Sequence, residues 1–147
     1  MSENRAILYF DGASRNNPVG PAGCGWVLYE MDANGNKGRY YGSGSKYLGH
    51  HVSNNQAEYH GLIEGLEYIQ SEYSDVDALY VRGDSQIVIN QMKGTYKVRS
   101  SNISPLYKEA WSTINGMNQT VSFRHVARAQ NKEADRLASK AAHGYTA

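Results

Sequence analysis

Three short runs that read as strands, residues 6–10, 24–28 and 39–43, fall within the first 43 residues and are parted by the turn-rich segments GASRNNPVGPAG and MDANGNKG. Turn chemistry of that density folds a chain back on itself, so this third of the sequence reads as a three-stranded antiparallel meander. The rest changes period. Ser53 and Gln56 form a capping-box pattern at the start of a helix whose Ala57, Leu62, Ile63, Leu66 and Ile69 share one face. Residues 78–81 read as a strand running into Gly83-Asp84, 85–91 as a short helix, and 105–114 as a helix with Pro in its first turn. Residues 120–126 read as a fifth strand and 131–142 as a closing helix with Ala134, Leu137, Ala138 and Ala141 inward. The order βββαβααβα predicts an α/β layered fold, a five-stranded mixed sheet flanked by helices. No repeat, low-complexity tract or long linker divides the 147 residues, which read as one domain, 1–147, able to bury its own core.

Four acidic residues stand where these elements end or begin: Asp11 in YFDGAS, Glu58 in SNNQAEYHG, Asp84 in VRGDSQ and Asp135 in NKEADRLA. If the strands at 6–10 and 78–81 are parallel neighbours, Asp11 and Asp84 emerge at one sheet edge, where α/β sheets place ligands. Glu58 falls in the second turn of its helix, and Gly61 and Gly65, at i+3 and i+7, leave a stripe without side chains for close approach to the sheet. Asp135 falls in the first turn of the last helix. Clustered carboxylates repel one another, and hard cations that prefer oxygen ligands, Mg²⁺ or Mn²⁺, remove that penalty. Two such ions roughly 3.5–4 Å apart can activate a water and stabilise a leaving oxygen. The set therefore suits phosphodiester hydrolysis without a protein nucleophile.

Charge distribution fits a polyanionic partner. Residues 1–84 carry 6 Lys/Arg against 11 Asp/Glu and residues 85–147 carry 9 against 3, so a basic half follows an acidic one. The competing reading is a dispersed, solvated set of lysines. The single Cys24 cannot form an internal disulfide, no apolar run reaches membrane-spanning length, and MSENRAILYF lacks the apolar core of a secretory signal. These features predict an intracellular protein, cytoplasmic or at the nucleoid or nucleus, with no membrane partner. The His50-His51 pair has no Cys or second His cluster at ligand spacing, so it reads as loop.

The motifs DGASRNNP-GPAG, SNNQAE at a helix start, GDS at a strand end before a short helix, and HV…NKEADRLA, in this order across nearly the whole chain, resemble the type 1 ribonuclease H family. The resemblance implies a βββαβαβα layered core and a monomer that hydrolyses the RNA strand of an RNA/DNA hybrid, leaving 3'-hydroxyl and 5'-phosphate ends. It implies two Mg²⁺ per site, with Mn²⁺ as a substitute, held by Asp11, Glu58, Asp84 and Asp135. It also implies that Ser14, Asn17, Asn54 and Asn55 touch the minor groove, where their mixed donor and acceptor groups suit a 2'-hydroxyl. Ser53 and Asn16 are equally well read as capping and turn residues. Asn102, with Ser53, matches a position that binds a DNA-strand phosphate.

Two departures from the family pattern stand out. Many members carry a Gly-rich loop with a His before the last Asp, whereas this chain has only the short connection ARAQNKE. His125 matches the strand, so Arg128 is the residue expected to stand in for the loop His. Some members also insert a basic, Trp-rich helix and loop where this chain has QMKGTYKVRSSNIS. Lys93, Lys97 and Arg99 remain there as expected phosphate or sugar contacts, against the alternative of an ordinary solvated loop. Competing functions are a related metal nuclease acting on double-stranded RNA or branched DNA, a binding module without catalysis, and a domain of a reverse transcriptase polyprotein. The initiating Met and the length favour a free-standing protein over the last.

Overall fold

The computed structural model describes residues 3–143; residues 1–2 and 144–147, the extremities of the expected 1–147 domain, lie outside the described residues. Strands β1 (Arg5–Ser14), β2 (Pro21–Met31) and β3 (Lys37–His50) lead into helix α1 (Asn54–Glu72). Strand β4 (Ala78–Gly83), helices α2 (Gln86–Met92) and α3 (Ser104–Asn115), strand β5 (Thr120–His125) and helix α4 (Lys132–Ala142) follow. A single 3-10 turn, Arg128–Gln130, precedes α4. The strands form one sheet in the order β3-β2-β1-β4-β5, antiparallel from β3 to β1 and parallel from β1 to β5. The expected meander and mixed sheet are both present.

Alternation along β1 builds a core on each face. Ala6, Leu8 and Phe10 are fully buried in a cluster with Leu62, Leu66 and Ile69 of α1, while Ile7 and Tyr9 pack with Ala134 of α4 on the other side. Each large aliphatic side chain so buried contributes about 1.5–3 kcal/mol of transfer free energy. The capping box is formed as expected: Ser53 Oγ accepts from Gln56 N–H, and the Gln56 side chain accepts from Ser53 N–H. Glycines set the spacing between α1 and the sheet. A Cβ on Gly12 would lie 2.2 Å from Glu58 N, and one on Gly61 would lie 2.7 Å from the Asp11 carbonyl oxygen.

The first three strands run past the limits read from the sequence, β2 from 24–28 to Pro21–Met31. β1 continues past residue 10 to Ser14, because its ladder with β2 runs on to the pair Ser14–Ala22 after its ladder with β4 stops at Phe10–Gly83. β3 is longer than 39–43 on both sides. Its Gly- and Ser-rich second half stays in the sheet by pairing with β2 through register shifts near Ala22/Gly23 and Leu28/Tyr29. Lys37, Arg39 and Lys46 along this edge strand discourage pairing with another chain.

Candidate metal centre

Parallel pairing of β1 with β4 brings Asp11 and Asp84 to the same edge of the sheet, since the last shared rung, Phe10–Gly83, stands immediately before both. Gly12 and Gly61 admit α1 close enough for Glu58 to join them. Asp11, Glu58 and Asp84 each offer a carboxylate oxygen within 4.8 Å of the others. Asp135, in the first turn of α4, lines the same cavity of about 400 Å³, together with Ser14, Asn54 and Arg128.

Burial makes this grouping costly in the absence of a counter-charge. Asp11 is 4% exposed, and its carboxyl is pushed up from 3.8 to about 7, chiefly by desolvation, with the charge of Asp84 adding to the rise. Glu58 is 7% exposed and held well above the usual carboxylate range by burial first and by Asp11 second. Gly12 N–H donates to Asp11 Oδ1 at 2.9 Å, whereas Glu58 Oε1 is buried without a partner. An unpartnered carboxylate oxygen facing two further carboxylates suits a hard, oxygen-seeking cation, and Mg²⁺ or Mn²⁺ fits that donor set.

The polar residues around the acids are cross-linked. Ser14 N–H donates to Asn54 Oδ1 at 2.8 Å, and Asn54 N–H donates to Asn17 Oδ1 at 3.0 Å, tying the loop after β1 to the start of α1. These bonds use the carbonyl oxygens and leave both side-chain NH₂ groups for other partners; Ser14 Oγ is buried without a partner. His125 ends β5, and its Nε2–H donates to the Asp84 carbonyl oxygen at 3.3 Å. The sequence reading missed Asn131. Its side chain, 2% exposed, makes no helix cap; instead Nδ2 donates to the Phe10 carbonyl oxygen at 2.9 Å and to Asp84 Oδ2 at 3.4 Å. It thereby holds α4 to β1 and steadies an aspartate of the cluster. Its place just before α4 was the only local signal, and that signal points to a cap.

The chain matches a family model described as reverse transcriptase-like over residues 9–141. It is 39% identical over 137 residues to ribonuclease HI of Halobacterium salinarum, covering 93% of this chain and 64% of that protein. Among solved structures, the N-terminal RNase H domain of Rv2228c from Mycobacterium tuberculosis, solved as a fusion with maltose-binding protein, superposes with a TM-score of 0.83 at 32% identity, covering 97% of this chain and 96% of that one. LC11-RNase H1, solved in complex with an RNA/DNA hybrid, superposes with a TM-score of 0.84 at 31% identity, covering 97% of this chain and 99% of that one. The chain belongs to the type 1 ribonuclease H family. It spans 64% of the length of the Halobacterium ribonuclease HI and 35% of the bifunctional protein Rv2228c.

Of the remaining positions that the ribonuclease H resemblance singled out, only Arg128 lines the acidic cavity. Lys93 caps the C-terminal end of α2, and Lys97, Arg99 and Asn102 follow it, all exposed and none lining the acidic cavity. Ser53 is engaged in the capping box, and Asn55 is half-buried in the first turn of α1. Arg128, exposed, opens the 3-10 turn at the cavity's rim. No described helix is long and apolar enough to cross a membrane.

Proposed function

We propose that this chain hydrolyses the RNA strand of RNA/DNA hybrids with divalent-cation assistance, leaving 3'-hydroxyl and 5'-phosphate ends. The observation that carries the reading is the approach of Asp11, Glu58 and Asp84 to within 4.8 Å around a buried, unpartnered Glu58 oxygen, in a member of this family. Asp11, Glu58, Asp84 and Asp135 would hold the ions, with Asp135 standing off from the other three as a ligand of a second position. Bound there, a pair of Mg²⁺ or Mn²⁺ ions supplies an activated water and neutralises charge at the leaving oxygen. Ser14, Asn17, Asn54 and Asn55 orient the RNA strand through its 2'-hydroxyls. Ser53 and Asn102 take a DNA-strand phosphate, and Lys93, Lys97 and Arg99 add phosphate or sugar contacts along the duplex. All four acids come from one chain, which supports action as a monomer, and the free, buried Cys24 suits an intracellular, reducing setting.

Arg128 offers a fixed positive charge at the cavity rim. It can steady the cleaved phosphate and cannot act as a general base. Arg128→Ala is expected to lower the single-turnover rate by about tenfold or more, and His125→Ala by less, since His125 is turned to the Asp84 backbone. Wild-type turnover in Arg128→Ala would remove Arg128 from the mechanism. The function itself is tested with labelled hybrid, double-stranded RNA, double-stranded DNA and single strands in Mg²⁺ or Mn²⁺, using Asp84→Asn as the inactive control. Selective cleavage of the hybrid is the expected result, and no hybrid cleavage with either metal refutes the reading.

A further inference from the structure

On the face of the sheet that carries α4, that helix covers β1, β2 and β3 and leaves the β4–β5 half open. Arg82 of β4 and Arg124 of β5 are direct neighbours in the parallel ladder. They line a cavity of about 420 Å³ with Lys37, Tyr9, Asn36 and Gln130. Arg82 Nη1 donates to Tyr9 Oη at 3.3 Å, yet its Nε is buried without a partner. Lys37 Nζ lies 4.7 Å from the centre of the Tyr9 ring, a cation–π contact that fixes a third positive charge at the cavity without neutralising it. Among the described residues the salt bridges are Lys46–Glu64 and Arg136–Glu133, so none of the three cations is held in one, although Glu133, bonded to Arg136, also feels the charge of Lys37.

Two guanidinium groups held side by side, one of them partly desolvated, repel one another unless an anion lies between them. The forked donors of arginine match the oxygens of a phosphate, and the amides of Asn36 and Gln130 add neutral donors. We propose that this cavity is a further, non-catalytic phosphate-binding site. The phosphate comes either from a nucleic-acid strand or from a free phosphate, and the fold favours the strand. Gln130, in the cavity, and Arg128, on the rim of the carboxylate pocket, are the two ends of one 3-10 turn. Arg82 also lies two residues before Asp84 on the same stretch of chain. A strand leaving the acidic cavity around that turn therefore meets Arg82 and Arg124 next. In its strand form the proposal rests on the hybrid-cleaving reading; in its free-phosphate form it does not.

The test uses the whole chain and the variant Lys37→Gln/Arg124→Gln, which changes two exposed residues outside the carboxylate site. One arm follows the arginine Nε–H signals by NMR during titration with inorganic phosphate, with chloride at matched ionic strength as the control. Saturable shifts of Arg82 and Arg124 in the wild type, abolished at Arg82 in the variant, support the site. The other arm measures, in Ca²⁺, binding of blunt hybrids and of hybrids with a single-stranded extension at either end. A strand source predicts that one extension tightens binding by about tenfold and that the variant forfeits this gain while binding blunt hybrid as before. It also predicts that the slope of log K against log salt falls by about 0.7 for each strand phosphate the variant no longer neutralises. Phosphate shifts without an extension effect assign the site to free phosphate. Absence of both effects overturns the proposal. Failure of wild type to bind any hybrid counts against the proposed function and leaves the phosphate titration to decide the site.

Discussion

Asp11→Asn is expected to lose hybrid cleavage by a factor on the order of 10³, equivalent to about 4 kcal/mol of transition-state stabilisation, while making the metal-free protein more stable. The second half follows from the sign of the linkage. Asp11 titrates near 7 in the folded protein against 3.8 for the free side chain, so the native state binds the extra proton between these values. Its contribution to stability is fully present below about pH 4 and is lost as pH rises through about 7. Asparagine keeps an acceptor for Gly12 N–H and removes the charge. In EDTA at pH 8 the variant should therefore melt several degrees above wild type, the advantage shrinking toward pH 4 and also on adding Mg²⁺, which stabilises wild type selectively. Equal melting temperatures in EDTA at pH 8 would show that Asp11 carries no burial penalty, and with that the main electrostatic argument for a cation would fail.

Gly12→Ala is a small substitution with a large expected effect. The added methyl would sit 2.2 Å from Glu58 N and 2.3 Å from the Ala57 carbonyl carbon. Both atoms are backbone of α1, so relief requires moving the helix and Glu58 off the sheet. We expect a loss of about 3–5 kcal/mol in urea unfolding, with cleavage falling even in the fraction that remains folded. Gly116→Ala, whose nearest neighbour would be a movable Gln70 side chain at 3.3 Å, serves as the mild control. A wild-type urea midpoint for Gly12→Ala would mean that α1 is not seated against β1 in the way the close approach at Gly12 requires.

Local patterns were enough to read the element order and the cap at Ser53, because each depends on residues within a few positions of one another. The convergence of Asp11 and Asp84 was legible on one condition, that their strands are parallel neighbours, and the β1–β4 ladder meets it. Features set by pairing between distant segments were not. The GASR sequence after Phe10 has turn composition, and only the β2 ladder keeps it extended. The role of Asn131 depends on its reach to the Phe10 carbonyl. The closeness of Arg82 and Arg124 comes from the β4–β5 register, which no count of charges contains. Ser14, Asn54 and Asn17 are linked through backbone N–H groups and side-chain carbonyls, an arrangement invisible while each is considered as a separate donor or acceptor.

The acids that meet at the sheet edge are drawn from the first strand, the first helix, a middle strand and the last helix. A chain emerging from the ribosome thus presents Asp11 well before α4 can bring Asp135 and Asn131 to it. Closing loops of that length is slow and entropically costly. A chain that stops short of α4 therefore carries Asp11, Glu58 and Asp84 and still lacks Asp135 and Asn131.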